Sequence, residues 1–228
     1  MQHDVIIVGG SFAGLSAAMQ LARAGRTVCI IDSGKPRNRF ASASHGFFGQ
    51  DGAAPYAMIE NARAKLKAYP TVSFIDASAF DVRRRGEIFL VQTELGEMAG
   101  QKLLLAFGLV DELPDIPGLR ERWGRTVLHC PYCHGYEFKG QRLGVLHVGP
   151  SSAHQALLIS DWGPTTLFLN GHEAPDAETC RQLEQRGVTL EPAEIAGLEG
   201  DDTELRALRL ANGSRIPVAA LYLGSRTR

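Results

Sequence analysis

Short apolar runs recur along the chain, and glycine turns, amphipathic segments or polar loops separate them. The continuous apolar run at residues 4–8 is typical of a buried parallel strand. Residues 15–24 predict a helix that stops at Gly25, and residues 27–31 predict a second strand. The order strand, glycine-rich turn, helix and strand predicts a βαβ unit at the start of the chain.

The pattern continues with a mixture of helix and strands. Residues 55–69 predict an amphipathic helix that begins at Pro55. Strands are predicted at residues 72–75, 79–84, 88–93 and 102–106, with a turn at 85–87 between the middle pair. The acidic, proline-containing segment 111–118 predicts a crossover between domains. We therefore expect one domain at residues 1–112 and a second at 113–228.

The second half contains a degenerate copy of the opening unit. A shift of 139 residues places Gly149 on Gly10 and Ala153 on Gly14. A strand at 144–148, a helix at 151–162 and a strand at 165–169 then recur in the same order. A last strand is predicted at 219–223, so we predict an α/β protein in which both domains have a nucleotide-binding core.

The turn of the first unit carries chemistry that suits a dinucleotide. Glycines allow a tight turn, the helix N-terminus faces a pyrophosphate, and an acid at the end of the second strand binds a ribose hydroxyl. Asp32 lies 18 residues after Gly14, near the expected spacing, while Ser11 replaces the middle glycine of the motif. The residues predicted to form the turn are Gly9, Gly10, Ser11, Phe12, Ala13 and Gly14.

Further contacts to the same cofactor are predicted outside the turn. The glycine-containing loop at residues 35–50 is interpreted either as a loop over a ligand or as a solvated surface loop. From it we assign Arg39, Gly49 and Gln50 to the cofactor, and from the end of the last strand of the first domain Ala106 and Gly108.

The second copy has lost the features that bind a nicotinamide nucleotide. Pro150 stands where Ser11 stands in the first copy, and proline removes a backbone N–H that would face phosphate. Gly171 occupies the position of Asp32, and no arginine stands beside it for the 2′-phosphate of NADP. We expect this site to bind a nicotinamide cofactor poorly, and binding of NADPH is left open.

Two cysteines in the second half, Cys130 and Cys133, stand two residues apart with a histidine on either side, His129 and His134. Such a pair can close a small disulfide and so store two electrons, and its reactive form is the thiolate. Zinc binding is an alternative, but structural zinc needs four ligands, and adjacent His and Cys cannot easily both face one ion. A glutaredoxin domain would place the pair near the start of a shorter chain.

Composition restricts the remaining possibilities. The chain has 228 residues and a net charge of −1, so no basic surface is expected to attract nucleic acid or an anionic membrane. No apolar run approaches the roughly 18 residues of a membrane span, and the N-terminus has no pattern of a signal peptide. Four cysteines, two of them paired, indicate a cytoplasmic protein rather than a disulfide scaffold.

The glycine turn, together with Cys130-Pro131-Tyr132-Cys133-His134-Gly135 between two nucleotide folds, resembles the low-molecular-weight thioredoxin reductase family, a class of pyridine nucleotide-disulfide oxidoreductases. The resemblance covers the whole chain. It implies two Rossmann-like, three-layer ββα domains, with FAD bound by the first and NADPH by the second. It also implies a homodimer and a thioredoxin-like protein or small-molecule dithiol or disulfide as the substrate.

The resemblance assigns a role to each residue of the redox pair. Cys133 would face the flavin, and Cys130 would exchange with the substrate disulfide. His134 stands where the family usually has an aspartate as acid–base, and a histidine can do that work near neutral pH. The family's final segment, which returns to the FAD domain, does not appear after Arg228, so we expect an FAD domain without it.

The altered second site resembles particular branches of the family. One branch oxidises small-molecule dithiols and passes electrons to oxygen, and another takes electrons from ferredoxin. A non-catalytic nucleotide-binding protein is a further alternative. The electron partner, the substrate and the direction of electron flow therefore stay open.

Overall fold

The computed structural model describes residues 2–228 and divides them into two units. The first unit consists of the described residues up to Arg39 and of Ala53–Leu109, and the second of Phe40–Gly52 and Val110–Arg228. The second unit is therefore formed by two separate stretches of the sequence.

The first unit is a six-stranded sheet with two helices. Its elements are β1 (Gln2–Val8), α1 (Phe12–Arg23), β2 (Val28–Asp32), α2 (Pro55–Leu66), β3 (Val72–Asp76), β4 (Ala79–Arg85), β5 (Ile88–Thr93) and β6 (Gly96–Leu105). The strand order is β3-β2-β1-β6-β5-β4. β1 pairs in parallel with β2 and β6, whereas β4, β5 and β6 form an antiparallel meander.

Alternation along β1 builds a core on both faces of this sheet. Ile7 packs with Leu15 of α1 and Ile59 of α2, while Ile6 packs with Val91 of β5. Ile6 and Ile7 are fully buried, because successive side chains of a strand point to opposite faces and both faces are covered. The α/β prediction is confirmed for this unit.

Some element bounds differ from the sequence-based prediction. α1 begins at Phe12 rather than residue 15, because Ser11 is extended and its carbonyl accepts the first helical hydrogen bond, from Leu15 N–H at 2.9 Å. α2 ends at Leu66, where the chain turns. β6 begins at Gly96 because its first residues pair with β5, and it ends before Ala106.

The second unit repeats the parallel-sheet core. Its elements are β7 (Asp111–Glu112), β8 (Val127–Leu128), α3 (Pro131–His134), β9 (Leu143–Leu146), α4 (Ser151–Ile159), β10 (Thr165–Phe168), α5 (Ala177–Gln185), β11 (Thr189–Glu191), β12 (Ile195–Glu199), β13 (Ala207–Leu210), β14 (Arg215–Pro217), β15 (Ala220–Tyr222) and β16 (Arg226–Thr227). A parallel sheet has the order β11-β10-β9-β15-β8, and β12-β13-β14 form an antiparallel sheet. The predicted strand at 144–148 is shorter and ends at Leu146.

This unit also has three layers. Val145 of β9 packs with Ala156 and Ile159 of α4, while Phe168 of β10 packs with Leu208 of β13 on the other side. Within residues 2–228, no helix has the length and apolar character needed to traverse a bilayer.

Candidate functional site

The glycine turn of the first unit is so tight that side chains would not fit. A Cβ at Gly9, whose φ is +107°, would collide with the carbonyl oxygen of Ala106, and one at Gly14 would collide with the carbonyl of Gly9. A Cβ at Gly10 would lie 2.8 Å from the Cβ of Asp32. The structure thus brings five of the predicted cofactor residues together around the N-terminus of α1: Gly9, Gly10, Gly14, Asp32 and Ala106.

A pocket of about 290 Å³ opens beside this turn, and Gly10, Ser11 and Asp32 line it. The Asp32 carboxylate lies 3.5 Å from a guanidinium nitrogen of Arg63, which also contacts Asp76 at 2.6 Å. Arg63 comes from α2 and was not predicted as a site residue. The small residues, the helix N-terminus and the acid at the end of β2 fit the adenosine end of a dinucleotide.

The remaining predicted cofactor residues lie in different places. Phe12 packs against the core of the first unit, and Ala13 is exposed on α1. Arg39 is exposed and donates to the Pro36 carbonyl at 3.0 Å, while Gly108 has a φ of +71° just beyond β6. The assignment of these residues to the cofactor stays a prediction.

Gly49 and Gln50 lie on the segment Phe40–Gly52, which belongs to the second unit. Gly49 has a φ of +68°, and the Gln50 N–H donates to the Phe47 carbonyl at 3.0 Å. Both residues are exposed. Their assignment to the cofactor stays a prediction.

The two cysteines of the pair lie at either end of a single helical turn. Cys130 is extended and precedes α3, and Cys133 lies within α3. Pro131 suits the first helical position because its missing N–H has no partner to satisfy there. Behind them, Gly135 is buried, and a Cβ there would lie 2.7 Å from Nε1 of Trp162.

Both thiols are reduced in the structure and half-buried. Burial raises the pKa of Cys133, and its contact with Cys130 raises it further. Cys133 is therefore a thiol near neutral pH, and forming its thiolate requires that a proton be taken away. A base near the pair is needed to accept this proton.

His134, the predicted acid–base residue, is half-buried beside the pair. Burial lowers its pKa most, the Glu137 carboxylate raises it, and the imidazole of His45 lowers it. The His134 carbonyl accepts from the Tyr222 hydroxyl at 3.4 Å, and burial raises the pKa of Tyr222, so that hydroxyl stays protonated. His134 is thus held as a neutral imidazole, the form that accepts a proton.

His45 and Glu137 were not predicted as site residues. His45 lies far away in sequence, but the structure places its ring 6.1 Å from that of His134. Glu137 stands three residues after His134, and this spacing alone could have indicated that the two side chains are near each other.

In the second nucleotide-type turn, a side chain of the chain itself occupies a backbone N–H group. The Val148 N–H donates to the hydroxyl of Ser152 at 3.0 Å, and Pro150 has no N–H. Near the end of β10, the Asn170 carboxamide oxygen accepts from the Ile195 N–H at 2.8 Å. These backbone donors are already occupied or absent, and weak binding of a nicotinamide cofactor here stays a prediction.

His147 and His172 lie at the same edge of the sheet, with ring centroids 5.4 Å apart. Burial and the neighbouring His172 lower the pKa of His147. Among residues 2–228, no group of three or more His, Cys, Asp or Glu side chains is arranged to hold a metal ion.

Residues 3–224 match the family model described as pyridine nucleotide-disulphide oxidoreductase. The chain is 33% identical to thioredoxin reductase tcpT of Claviceps purpurea, over 93% of this chain and 70% of that protein. It is 34% identical to thioredoxin reductase aclD of Aspergillus oryzae, over 87% of this chain and 67% of that protein.

A solved structure gives the same result for the fold. The oxidoreductase from Agrobacterium tumefaciens superimposes with a TM-score of 0.94 at 45% identity, and the match covers 100% of this chain and 76% of that one. The two Rossmann-like domains expected from the sequence are therefore confirmed at the level of the fold.

Proposed function

Because the chain belongs to the pyridine nucleotide-disulphide oxidoreductase family, we propose that it is an FAD-dependent thiol–disulfide oxidoreductase in which Cys130 and Cys133 exchange two electrons with the flavin. Family membership makes it an oxidoreductase of the thioredoxin reductase type. The observation that carries the finer proposal is the pair of half-buried thiols on one helical turn, next to a histidine that is held neutral.

The residues that would hold FAD are those of the first glycine turn. Gly9 allows the tight turn, Gly10 and Ser11 line the pocket in which the pyrophosphate would lie, and Asp32 would accept from the ribose hydroxyls. The flavin, when bound, supplies a two-electron carrier that thiols alone lack.

The chain's own residues perform the exchange with the substrate. In the direction of dithiol oxidation, one substrate thiolate attacks Sγ of Cys130 in the Cys130–Cys133 disulfide, and the Cys133 sulfur leaves with the bond's electron pair. The second substrate thiolate then displaces Cys130, which yields a substrate disulfide and two cysteine thiols. Each cysteine sulfur leaves as a thiolate and takes up one of the two protons that the substrate thiols released; His134 would accept one of these protons and donate it to the Cys133 thiolate.

The substrate in this proposal is a thioredoxin-like protein or a small-molecule dithiol or disulfide. A cytoplasmic location and a homodimer belong to the same proposal: the location rests on the cysteine content, and the homodimer on likeness to the family. Nucleic acid and membrane are not proposed as partners, because the net charge is −1 and the described helices include no membrane span.

A second candidate function is a small-molecule dithiol oxidase that delivers electrons to oxygen, or a relative linked to ferredoxin. The observation that favours it is the hydrogen bond from Val148 N–H to Ser152, together with Pro150, because both remove donors that a nicotinamide nucleotide would use. NADPH remains the alternative electron donor.

The experiment is to record the visible spectrum of the purified protein and to measure its mass before and after a dithiol is added. We expect flavin absorbance and a Cys130–Cys133 disulfide that the dithiol opens. Cys130→Ser and Cys133→Ser should each lose the disulfide and turnover, whereas Cys180→Ser should keep both. Full turnover in both active-site variants, or a colourless protein that does not take up added FAD, would contradict the proposal.

A further inference from the structure

The side chain of His45 lies between two carboxylates. Its Nδ1 is 3.4 Å from a carboxylate oxygen of Asp51, and its Nε2 is 3.5 Å from one of Glu137. The His45 side chain is 27% exposed, whereas that of Asp51 is 73% exposed. One imidazole thus lies between the mostly exposed carboxylate of Asp51 and the less exposed carboxylate of Glu137.

The same imidazole meets His134 edge-on. The two rings are 6.1 Å apart between centroids and stand at 87° to each other. His45 comes from the segment Phe40–Gly52 and His134 from α3, and both belong to the second unit. The order from the interior to solvent is therefore His134, then His45 with Glu137, then Asp51.

We propose that His45 is a positioning residue of the dithiol site, which sets the charge of His134 and passes its proton by way of Glu137 and Asp51 to solvent. The inference rests on the proposed thiol–disulfide function, because it gives a route for the proton that leaves Cys133. The separations of 3.4–3.5 Å are long for direct transfer, and the proposed path therefore requires a bridging water at each of the two gaps.

Other charged groups also face this site. Arg125 and Glu204 line a pocket of about 180 Å³ together with His45, His134 and Glu137. Tyr222 reaches the His134 carbonyl, and the two cysteines precede His134 on and before α3. Glu137 raises the pKa of His134 and His45 lowers it. Replacing either residue should therefore shift that pKa in a known direction.

The test follows the titration of His134 by NMR in protein with labelled histidine. His45 lowers the pKa of His134, so we expect the pKa of His134 to rise in His45→Gln. Glu137→Gln removes a negative charge, so we expect it to fall. His154→Gln, which changes an exposed histidine on α4, is the matched control. A His134 titration that moves no more in the first two variants than in the control would overturn the proposal.

A kinetic measurement tests the relay itself. We expect His45→Gln to lower kcat for dithiol oxidation about ten-fold, with KM unchanged and the pH profile shifted. His45→Ala should recover part of the lost rate when free imidazole is added, and no recovery would count against proton relay. Glu137→Gln keeps the shape of a partly exposed side chain, so it gives a readout even if the His45 variants fold poorly.

The two proposals fail in different ways. The histidine titration requires neither bound flavin nor turnover. A colourless protein in which His45→Gln still shifts His134 would defeat the proposed function and keep the electrostatic part of this one. Normal turnover, in a protein whose His134 pKa does not change in the His45→Gln variant, would support the proposed function and overturn the role of His45.

Discussion

The hydroxyl of Ser152 accepts a hydrogen bond from the backbone N–H of Val148 at 3.0 Å, across the turn that opens the second nucleotide-type fold. Ser152 is buried, so its hydroxyl serves this internal donor rather than solvent. In the first unit the corresponding turn has glycines and no such side-chain bond, which leaves its edge available to a ligand. The two copies of one fold therefore differ in the backbone donors that their corresponding turns present.

The first prediction concerns the stability provided by that hydrogen bond. Ser152→Ala leaves the Val148 N–H without its partner, and an unsatisfied donor of this kind costs about 1–3 kcal/mol. Denaturant unfolding should show this loss of free energy. Ser151→Ala, at the exposed neighbouring position, should change stability little. Equal losses in the two variants would show that the bond contributes nothing.

The second prediction concerns the electron donor. Because Pro150 lacks an N–H and Gly171 replaces the acid of the first copy, NADPH and NADH should reduce the flavin slowly or not at all. Small dithiols should reduce it within the time of a normal turnover. Anaerobic titration at the flavin absorbance measures both, and rapid bleaching by NADPH would contradict the interpretation of the second site.

The third prediction compares two equivalent glycines. A Cβ at Gly10 would lie 2.8 Å from the Cβ of Asp32, whereas one at Gly149 would meet nothing within 4 Å. We expect Gly10→Ala to displace Asp32 and to reduce the flavin content of the purified protein. Gly149→Ala should retain flavin and stability. The ratio of flavin to protein absorbance gives the result, and similar flavin loss in both variants would be evidence against the first turn as the cofactor site.

The fourth prediction concerns the pH dependence of the reduced protein. Folding raises the pKa of Cys133 above its ordinary value of 9.0, so the folded state retains a proton that the unfolded state releases. This contribution to stability is complete below about pH 9 and is lost as the pH rises through the folded pKa. Reduced wild type should therefore lose more stability above pH 9 than Cys133→Ser does. Chemical unfolding at pH 8 and pH 10 measures the difference, and parallel losses would contradict it.

The sequence predicted those parts of the fold that are specified by residues close together in the chain. The apolar run before Gly9 and the turn that follows could be recognised from neighbouring residues, because strand and helix periods are local properties. The internal repeat was visible for the same reason. The beginning of β6 was missed because residues such as Gly96 are not apolar, and only pairing with β5 makes them strand.

The features of the site that were missed arise from contacts distant in sequence. Nothing near Asp32 indicates that Arg63 lies 3.5 Å away, since Arg63 is on a later helix. Likewise, nothing near His45 shows that Glu137 lies beside it. The cysteine pair could be recognised because both residues lie within a stretch of four, whereas the charged groups around it come from distant parts of the sequence.

The segment Phe40–Gly52 also affects the order in which the protein can be completed. During synthesis His45 leaves the ribosome early, and all of Ala53–Leu109 is translated before Glu137 exists to contact it. The second unit can therefore be completed only after residues from Val110 onward have been made, when they can pack against the earlier segment Phe40–Gly52. A fragment cloned from Val110 onward would keep Cys130, Cys133 and His134 but lose the His45 imidazole that packs against His134.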